Sequence, residues 1–308
     1  MQKLSQPSMS HNPQVSIIIP AYDSHATIEN CLRCIQSQDM REFEVIVIDS
    51  SPSDQCGRIV DKDFPWVRYE HVEARMLPHE ARNYGVTKSS AELLIFSDPD
   101  IYPPVNWITQ LLGVHRIYGG MVVGAVSCFG ERWLDLGTHI AKFDLWLPGG
   151  SERPIDIAPT MNLLCPRSIF EKVGGFPGER MIGDTIFSWA VAAAGDQIHF
   201  TPNASVVHHH VSTWIGLLQE RYTRGREFGY VRAERKRWSR TRILLHVILT
   251  ITPLRWMKLV MRTLQNARSA NLLTRALWTL PISMSAQAAW LMGETRGFID
   301  LLSNQRST

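Results

Sequence analysis

The sequence contains little cysteine and few long apolar runs. Five cysteines occur in 308 residues, and an odd number without regular spacing argues against a disulfide-stapled secreted domain and for a reducing compartment. The opening stretch MQKLSQPSMSHNPQ lacks the apolar core of a signal peptide, so we expect no signal peptide. No internal repeat or low-complexity tract occurs, and residues 1–13 are predicted to be disordered.

Charge is unevenly distributed along the chain. Apolar residues make up 44% and charged residues 20% of the sequence, which is typical of a globular protein and excludes wholesale disorder. The net charge is only +3, but residues 221–242 form a basic block with two acids, Glu227 and Glu234. The basic residues of this block are Arg221, Arg224, Arg226, Arg232, Arg235, Lys236, Arg237, Arg240 and Arg242.

The first hundred residues alternate apolar runs with segments of helical spacing. The runs VSIIIP, FEVIVIDSS, VRYEHV and ELLIFSD lack the alternation of a half-exposed strand, and a helix capped by Ser24 follows the first run. This pattern predicts an α/β domain with a parallel sheet covered on both faces. Ligands of such sheets bind beyond the carboxyl ends of the strands. Three of these ends carry residues 20–22, 49–51 and 98–100, which we therefore expect at one site.

The same pattern continues after residue 105. It predicts a helix over 107–118, a strand over 121–127 and an irregular stretch to about residue 158. TMNLLCPRSIFEKVGGF predicts a strand and a helix, GDTIFSWAVAAAG a helix, and QIHFTPNASVVHHH a strand. The predicted organisation is a domain over 14–215 with two halves (14–105 and 106–215), then a basic, amphipathic to hydrophobic helical tail (216–308).

Two cysteines, Cys31 and Cys34, have the C-x-x-C spacing of redox and metal sites. Cys31 also continues the apolar face of a predicted helix with Ile28, Leu32 and Ile35. A packed helix is therefore favoured over a redox or metal site.

The stretch LLIFSDPDIYPP places Asp98 and Asp100 directly after a predicted strand. In an extended segment their side chains project to the same side, and clustered carboxylates repel each other unless a cation lies between them. Mg²⁺ or Mn²⁺ takes one or two carboxylates and adds water and phosphate oxygens, so the pair predicts an anchor for a diphosphate. A calcium loop starting at Asp98 would need glycine and glutamate where Pro103 and Thr109 stand. The alternative is that both acids cap the turn.

These motifs, in their order and spacing, resemble the family 2 glycosyltransferases of GT-A fold. The resemblance covers about residues 14–210 and rests on VSIIIPAYDSHATIENCLRCIQSQ, FEVIVIDSSPSD, ARNYGV, LLIFSDPDIYPP, GGF and GDTIFSWAVAAAGDQIHFTPNASVVHHH. It implies a nucleotide-diphospho-sugar transferase fold with a mostly parallel central sheet flanked by helices. In that fold, 14–215 would be the catalytic domain, with a nucleotide-binding half (14–105) and an acceptor-binding half (106–215). It further implies a nucleotide-diphosphate sugar donor, a glycan or lipid-linked hydroxyl acceptor, inversion at the transferred sugar and a divalent metal, Mn²⁺ or Mg²⁺.

The resemblance also implies roles for residues at the first two strand ends. Pro20, Ala21 and Tyr22 resemble the floor below the nucleotide base. Asp49 resembles the acid that binds the base or the ribose. The sequence has Ser50 where the family often has a second aspartate, so the resemblance does not indicate which nucleotide the donor carries.

Further roles follow from the RN and acid-pair motifs. Arg82 and Asn83 match the family's RN helix start and are expected to order the nucleotide pocket; the alternative is that Arg82 pairs with a surface acid. Asp98 and Asp100 match the metal motif. Asp100 is the expected direct ligand, and Asp98 is expected to reach the ribose or a metal-bound water.

Asp184 matches the second acid of the family's ED motif and is the expected base for the acceptor hydroxyl. The preceding glutamate is replaced by Gly183, and an aspartate before a helix is alternatively an N-cap. His208 ends ASVVH and resembles the histidine that completes the metal shell in GT-A enzymes; the alternative is a histidine packed under the site. The family's processive members carry Q-x-x-R-W, which residues 219–222 match poorly, so single addition is expected.

The tail contains ILLHVILTITPL and the uncharged residues 276–293. Both are at or below the roughly 20 residues that cross a bilayer, and the basic block precedes them. We expect residues 221–293 to bind an anionic membrane surface, peripherally or shallowly inserted at the cytoplasmic face of the plasma membrane. Helices packed on the catalytic domain and a full crossing are the alternatives. Nucleic acid is not an expected partner, because regularly spaced stacking aromatics are lacking.

The predicted function is metal-dependent, inverting sugar transfer in cell-surface polysaccharide or glycolipid assembly. One alternative is a nucleotidyltransferase, although PAYDSHAT lacks the glycine-rich basic loop that would hold a triphosphate. The other is a non-catalytic membrane scaffold with the nucleotide-sugar fold, although the acids at 98, 100 and 184 are intact.

Overall fold

The computed structural model describes residues 12–178, 180–209 and 213–304. Most of the segment predicted to be disordered, residues 1–11, lies outside this part. The strands are β1 (Val15–Ala21), β2 (Phe43–Asp49), β3 (Arg68–His71), β4 (Leu93–Ser97), β5 (Ile101–Tyr102), β6 (Met121–Cys128), β7 (Arg153–Ile155), β8 (Asn162–Pro166) and β9 (Ile198–His208). The helices are α1 (Ile28–Gln36), α2 (Gln55–Asp63), α3 (Pro78–Thr87), α4 (Trp107–Tyr118), α5 (Trp133–Phe143), α6 (Arg167–Val173), α7 (Gly183–Ala193), α8 (Trp214–Arg235), α9 (Arg240–Ile251), α10 (Pro253–Ser269), α11 (Leu273–Trp278) and α12 (Leu280–Asn304).

The strands form one mixed sheet. Strand β1 lies between β2 and β4 and is parallel to both, and β3 extends the parallel part beyond β2. On the other side of β4 the sheet continues with β8, β6, β9 and β5, and β7 pairs with β9. The pairs β4–β8, β6–β8, β5–β9 and β7–β9 are antiparallel. Strands β1 to β4 are therefore parallel to one another, as predicted, whereas the rest of the sheet, including β5, is largely antiparallel.

Burial explains why the first strands show no alternation. Every residue of β1 is buried, so both faces of this strand are covered. On β2, Ile46 and Ile48 pack with Ala81 of α3. This contact holds the helix that carries the RN motif against the parallel strands.

Helix α1 confirms one local prediction and corrects another. Cys31 lies on its buried face, and in the described chain it is a free thiol, so the packed-helix interpretation of the C-x-x-C spacing is confirmed. The predicted cap is wrong, because α1 begins after Thr27. Ser24 instead starts a turn: its carbonyl oxygen accepts from the amide of Thr27 at 3.1 Å.

Asn162 of β8 connects the antiparallel strands. Its amide nitrogen donates to the carbonyl oxygens of Ala125 and Ala204, each at 2.8 Å, and its oxygen accepts from Trp107 Nε1 at 2.8 Å. These bonds satisfy a fully buried amide. A Cβ atom on neighbouring Gly124 would lie 2.1 Å from the carbonyl oxygen of Ala204, so this part of the sheet requires glycine.

The stretch from 128 to 158, predicted to be irregular, contains α5, a 3-10 turn and β7. Helix α5 is stabilised by the C-terminal helices, since Leu136 and Ile140 cluster with Ala267 and Ala276. The prediction was wrong because Gly137 weakens the local helix signal and the packing partners lie far along the chain.

The chain divides into two compact units. The sheet unit comprises Met1–Ser127 and Gly150–His209, and the helical unit comprises Cys128–Gly149 and His210–Thr308. The predicted boundary after residue 215 differs from this division chiefly in the first segment of the helical unit. Helix α5 lies in that segment, and its apolar partners belong to the tail.

Helices α8 and α12 pack closely in the helical unit. Gly225, Gly229, Gly293 and Gly297 lie at their contact, where an added Cβ atom would be 2.0 to 2.5 Å from a carbonyl oxygen of the facing helix. Small residues spaced four apart allow helix backbones to approach this closely. The glycines therefore set the packing distance.

The two apolar segments of the tail differ in exposure. Helix α9 and the first half of α10 expose Leu244, Leu245, Ile248, Leu249, Ile251, Leu254, Met257 and Met261. The segment 276–293 buries Ala276, Ile282, Ala286 and Leu291 and exposes fewer large apolar side chains, namely Leu277, Trp278 and Met292. Within the described ranges no single helix is long and apolar enough to span a bilayer, whereas α9 and α10, bent by 66°, meet the criteria of length and composition as a pair.

Candidate active site

The carboxyl ends of β1, β2 and β4 lie at one edge of the sheet. Ala21 of β1 lies opposite Asp49 of β2, and the amide of Ser50 donates to the carbonyl oxygen of Ala21 at 3.1 Å. The amide of Asp23 donates to Ser51 Oγ at 2.8 Å, which joins the two turns. Because β4 is the other parallel neighbour of β1, the acid pair leaves the sheet at the same edge.

Tyr22 is the exposed member of the predicted base floor. Pro20 and Ala21 are buried, whereas Tyr22 is 40% exposed. The guanidinium carbon of Arg75 lies 4.4 Å from the centroid of its ring, a distance at which cation and ring attract each other. Sequence reasoning missed Arg75, because nothing local to residue 75 connects it with the end of β1.

Asp49 is fully buried, and the protein itself binds both of its oxygens. Oδ1 accepts from the amide and the hydroxyl of Ser51 at 2.9 and 2.5 Å, and Oδ2 accepts from the hydroxyl of Tyr69 at 2.7 Å. Burial and, after it, the bond to Asp49 raise the pKa of Tyr69, so Tyr69 keeps its proton and remains a donor. Asp49 thereby orders the turn after β2, and its contact with a base or ribose stays a prediction.

Asp98 forms an ion pair with Arg82. The Arg82 side chain is 3% exposed and that of Asp98 23%, so the alternative of a surface pair is wrong. Burial raises the pKa of Asp98 above its ordinary value, Arg82 opposes this shift, and the charge of Asp100 adds to it. The net upward direction means that the effect of burial, together with the charge of Asp100, exceeds the opposing effect of Arg82.

His208 reaches Asp100 across the sheet. Ile101, next to Asp100, pairs with His208 in the β5–β9 ladder, and Nε2 of His208 lies 3.2 Å from Oδ2 of Asp100. The amide of His209 also donates to the carbonyl oxygen of Asp100 at 2.9 Å. His208 is buried, so it is packed in the sheet, as the alternative holds, and yet faces the acid pair.

The donor set fits a divalent ion that is completed by a substrate. In the described part of the chain no three His, Cys, Asp or Glu side chains are grouped around a metal position. Asp100 and His208 nevertheless place an oxygen and a nitrogen donor side by side. Mg²⁺ and Mn²⁺ need only one or two protein carboxylates when water and phosphates supply the other ligands.

Asn83 clamps the loop that contains the GGF motif. Its Nδ2 donates to the carbonyl oxygen of Phe176 at 2.7 Å, and its Oδ1 accepts from the amide of Phe176 at 3.0 Å. Both functional groups of the side chain thus bind one residue of the loop. Asn83 orders the site through this loop, and a direct contact with the nucleotide sugar stays a prediction.

Asp184 lies within the first turn of α7. The N-cap of this helix is Ile182, so the alternative that Asp184 is the cap is wrong. Oδ1 of Asp184 accepts from the amide of Thr185 at 2.8 Å. Asp184 is the acidic residue of the first turn of α7, where the partial positive charge of the helix N-terminus attracts acidic side chains.

Comparison with known proteins identifies the family. The family model described as Glycosyl transferase family 2 matches residues 16–178, which is more than half of the chain. The chain belongs to this family. The family predicted from the motifs is therefore confirmed, and the protein is a glycosyltransferase of the nucleotide-sugar GT-A class.

Several curated glycosyltransferases are similar to this family 2 chain. Glycosyltransferase AglE of Haloferax volcanii is 28% identical over 70% of the chain and 72% of its own length. The probable glycosyltransferase YdaM of Bacillus subtilis is 27% identical over 72% of the chain and 57% of its own length. The GalNAc(5)-diNAcBac-PP-undecaprenol beta-1,3-glucosyltransferase of Campylobacter jejuni is 29% identical over 43% of the chain and 47% of its own length. The matches thus span about half of the last two proteins.

Solved structures confirm the predicted GT-A fold. The mannosyltransferase PcManGT from Pyrobaculum calidifontis, in complex with GDP-Man and Mn²⁺, has a TM-score of 0.60 at 20% identity and covers 97% of this chain and 90% of its own. TarS 1–349 of S. aureus in complex with UDP-GlcNAc has a TM-score of 0.55 at 14% identity, covering 96% of this chain and 92% of its own. At these identities the likeness concerns the fold alone.

Proposed function

We propose that the protein transfers a sugar from a nucleotide-diphosphate sugar to a hydroxyl acceptor with inversion, assisted by a divalent metal ion. The observation that carries this proposal is the Asp100–His208 pair beside the Asp98–Arg82 pair at the carboxyl edge of the parallel strands. Sheets of this kind bind their ligands at that edge. The neighbours solved with GDP-Man and UDP-GlcNAc support the donor class.

Asp100 and His208 are the residues that would hold the metal ion. The neighbour solved with GDP-Man also contains Mn²⁺, and Mn²⁺ or Mg²⁺ suits a carboxylate site whose other ligands are water and phosphate oxygens. When bound, the ion would act as a Lewis acid that neutralises charge on the leaving diphosphate.

The donor side is organised by Arg82 and Asp98. Arg82 holds Asp98 through Oδ1, which leaves Oδ2 as the oxygen that would accept from a ribose hydroxyl. Tyr22 offers an exposed ring for the nucleotide base, with Arg75 beside it. These residues bind and orient the donor, and they form no covalent bond with it.

Asp184 is the proposed base. Its carboxylate would take the proton of the acceptor hydroxyl while the hydroxyl oxygen bonds to the anomeric carbon and the bond to the diphosphate breaks. Attack from the face opposite the leaving group inverts the configuration of the sugar. One addition per acceptor is proposed, because the sequence does not match the processive signature.

Donor turnover tests this proposal. Purified protein is incubated with UDP-, GDP- and dTDP-activated sugars, with Mn²⁺ or with chelator, and release of the nucleoside diphosphate is measured. We expect one donor class to be turned over. Asp100→Ala should remove the increase in turnover that Mn²⁺ produces in the wild type. Asp184→Asn should lower kcat by about 10²- to 10⁴-fold. The control is Asp63→Asn, which changes an exposed acid at the end of α2.

Three outcomes would contradict the proposal. Turnover that is unaffected by chelator and by Asp100→Ala would contradict the role of the metal. Condensation of a nucleoside triphosphate with a sugar phosphate would identify a nucleotidyltransferase. Nucleotide binding without turnover of any donor, in the presence of several hydroxyl acceptors, would indicate a scaffold.

We also propose that α9 and α10 bind the anionic cytoplasmic face of the plasma membrane and that the acceptor is lipid-linked. The exposed apolar side chains of these helices follow the basic block 221–242 in the sequence. Apolar insertion and attraction to anionic lipid strengthen each other at a membrane surface. The Campylobacter relative, whose name specifies an undecaprenol-linked substrate, supports a role in cell-envelope polysaccharide or glycolipid assembly.

Vesicle flotation tests the membrane proposal. We expect the full chain to float with vesicles that contain phosphatidylglycerol and to be partly released by 0.5 M salt, roughly the range in which charges are screened. The double variant Ile248→Glu, Ile251→Glu should stay in the soluble fraction. Ile117→Glu is the matched control, because Ile117 on α4 of the sheet unit is 71% exposed, as is Ile251. A wild-type chain that stays soluble at low salt would refute the proposal.

A further inference from the structure

His79 contacts two parts of the candidate site at once. It lies in the first turn of α3 and is buried. Its Nδ1 lies 3.3 Å from Nη1 of Arg82. A Cβ atom on Gly183 would lie 2.4 Å from Cδ2 of the same ring. One imidazole therefore links the residue that holds Asp98 with the start of the helix that carries Asp184.

The hydrogen bond determines the orientation and the tautomer of the ring. A guanidinium group can only donate, so Nδ1 of His79 accepts from Arg82. The proton of the neutral imidazole is then on Nε2, at the ring edge that packs against Gly183. Phe176, whose ring centroid lies 5.2 Å from that of His79, is the residue clamped by Asn83 and limits the movement of the ring.

This contact explains why the sequence has glycine in front of the proposed base. In the family's ED motif a glutamate stands at the position of Gly183. In this protein the His79 ring occupies the space that the Cβ atom of any other residue at position 183 would need. His79 and Gly183 therefore form one complementary pair, in which the histidine is accommodated only because the glycine has no side chain.

We propose that His79 is a positioning residue for sugar transfer. Through Nδ1 it orients Arg82, and with it Asp98 on the donor side. Through its ring edge it sets the start of α7, and with it Asp184 on the acceptor side. This inference rests on the proposed function, and its physical basis is that a displacement of about 1 Å between reacting groups can cost about 100-fold in rate.

Two isosteric variants separate the hydrogen bond from packing. His79→Asn keeps an acceptor near the place of Nδ1, and His79→Leu has nearly the same shape without it. We expect the KM for the donor to be about tenfold higher in His79→Leu than in His79→Asn, since a hydrogen bond to a charged group is lost. A purely structural role would alter the melting temperature but leave kcat and KM of the folded protein equal in the two variants, and that result would overturn the proposal.

A double-mutant cycle tests the second contact. Gly183→Ala should lower kcat by about 10- to 100-fold in the wild-type background, because the new methyl group displaces the ring or the helix. In the His79→Ala background the same change should have little effect, since the ring is gone. Equal losses in both backgrounds would show that the two residues act independently and would overturn the proposed coupling.

The result for the wild-type protein separates the two proposals. Only the positioning role is overturned if the wild type is active, if His79→Asn and His79→Leu have equal kcat and KM, and if Gly183→Ala lowers kcat equally in both backgrounds. A wild type that binds nucleotide but turns over no donor overturns the proposed function, and the positioning role with it. The comparison of His79→Asn with His79→Leu, and that of Gly183→Ala in the wild-type and His79→Ala backgrounds, are made on soluble, folded fractions. Loss of folding is measured separately by melting temperature.

Discussion

Replacement of Arg82 by methionine should expose the energetic cost of the acid pair. Methionine fills much of the same volume without charge. The guanidinium that holds Asp98 is buried, so its removal leaves a carboxylate largely shielded from water. Asp100 lies next to it and adds negative charge.

The magnitude of this cost can be bounded from the structure. Removing one partner of a buried ion pair typically costs about 3–5 kcal/mol. The stranded Asp98 can instead take up a proton; from its ordinary pKa of 3.8 to pH 7, at about 1.4 kcal/mol per unit, this costs about 4 kcal/mol. Two features place the expected loss of unfolding free energy at the lower end of this range, at about 3 kcal/mol. Asp98 keeps 23% exposure, so water still reaches its carboxylate. Arg82 Nε has no partner among the described residues, so the variant also removes an unsatisfied buried donor.

Urea unfolding at pH 7.5 and pH 5.0 measures this cost. In Arg82→Met the pKa of Asp98, already raised by burial, rises further because the opposing charge is gone. A carboxyl group whose folded pKa is raised contributes stability that is present at low pH and lost as pH rises through that pKa. The deficit relative to wild type should therefore shrink at pH 5.0.

The double variant Arg82→Met, Asp98→Asn provides the control. It removes the stranded charge, so it should recover most of the lost free energy of unfolding, while donor turnover remains absent. A deficit below about 1 kcal/mol in the single variant, far less than is typical of a broken buried pair, would refute the reasoning. A double variant no more stable than the single one would refute it as well.

Two further predictions concern packing and pH. Gly124→Ala should reduce stability by about 3 kcal/mol or more, because the new methyl group meets the backbone of a neighbouring strand. Gly113→Ala is the control: no atom lies within 4 Å of its added Cβ, so it should raise stability by about 0.5–1 kcal/mol. Thermal unfolding compares the two variants. Burial, followed by Arg232, lowers the pKa of His246, which stacks on Trp238. Wild-type stability should therefore be complete above about pH 6.5 and fall below it, and urea midpoints of His246→Phe should lack this loss.

The parallel half of the fold and the positions of several candidate residues could be predicted from local patterns. Continuous apolar runs indicate strands covered on both faces, and polar residues after such runs lie at the ligand edge. The acid pair, the position of Asp184 at the start of a helix and the buried face with Cys31 all follow from spacing of a few residues. Local signals of this kind fail where a segment depends on distant partners, as α5 does.

The sequence by itself determined which residues carry charge, where the strands end and which family the chain resembles. Only the tertiary structure decided which of these residues meet: Arg82 with Asp98, Asp100 with His208, and His79 with Gly183. Each contact joins residues of different elements, 16 residues apart for Arg82 and Asp98 and much farther apart along the chain for the other two pairs. Their distances depend on sheet register and on how closely the helices approach the strands, and no spacing within a segment encodes either quantity.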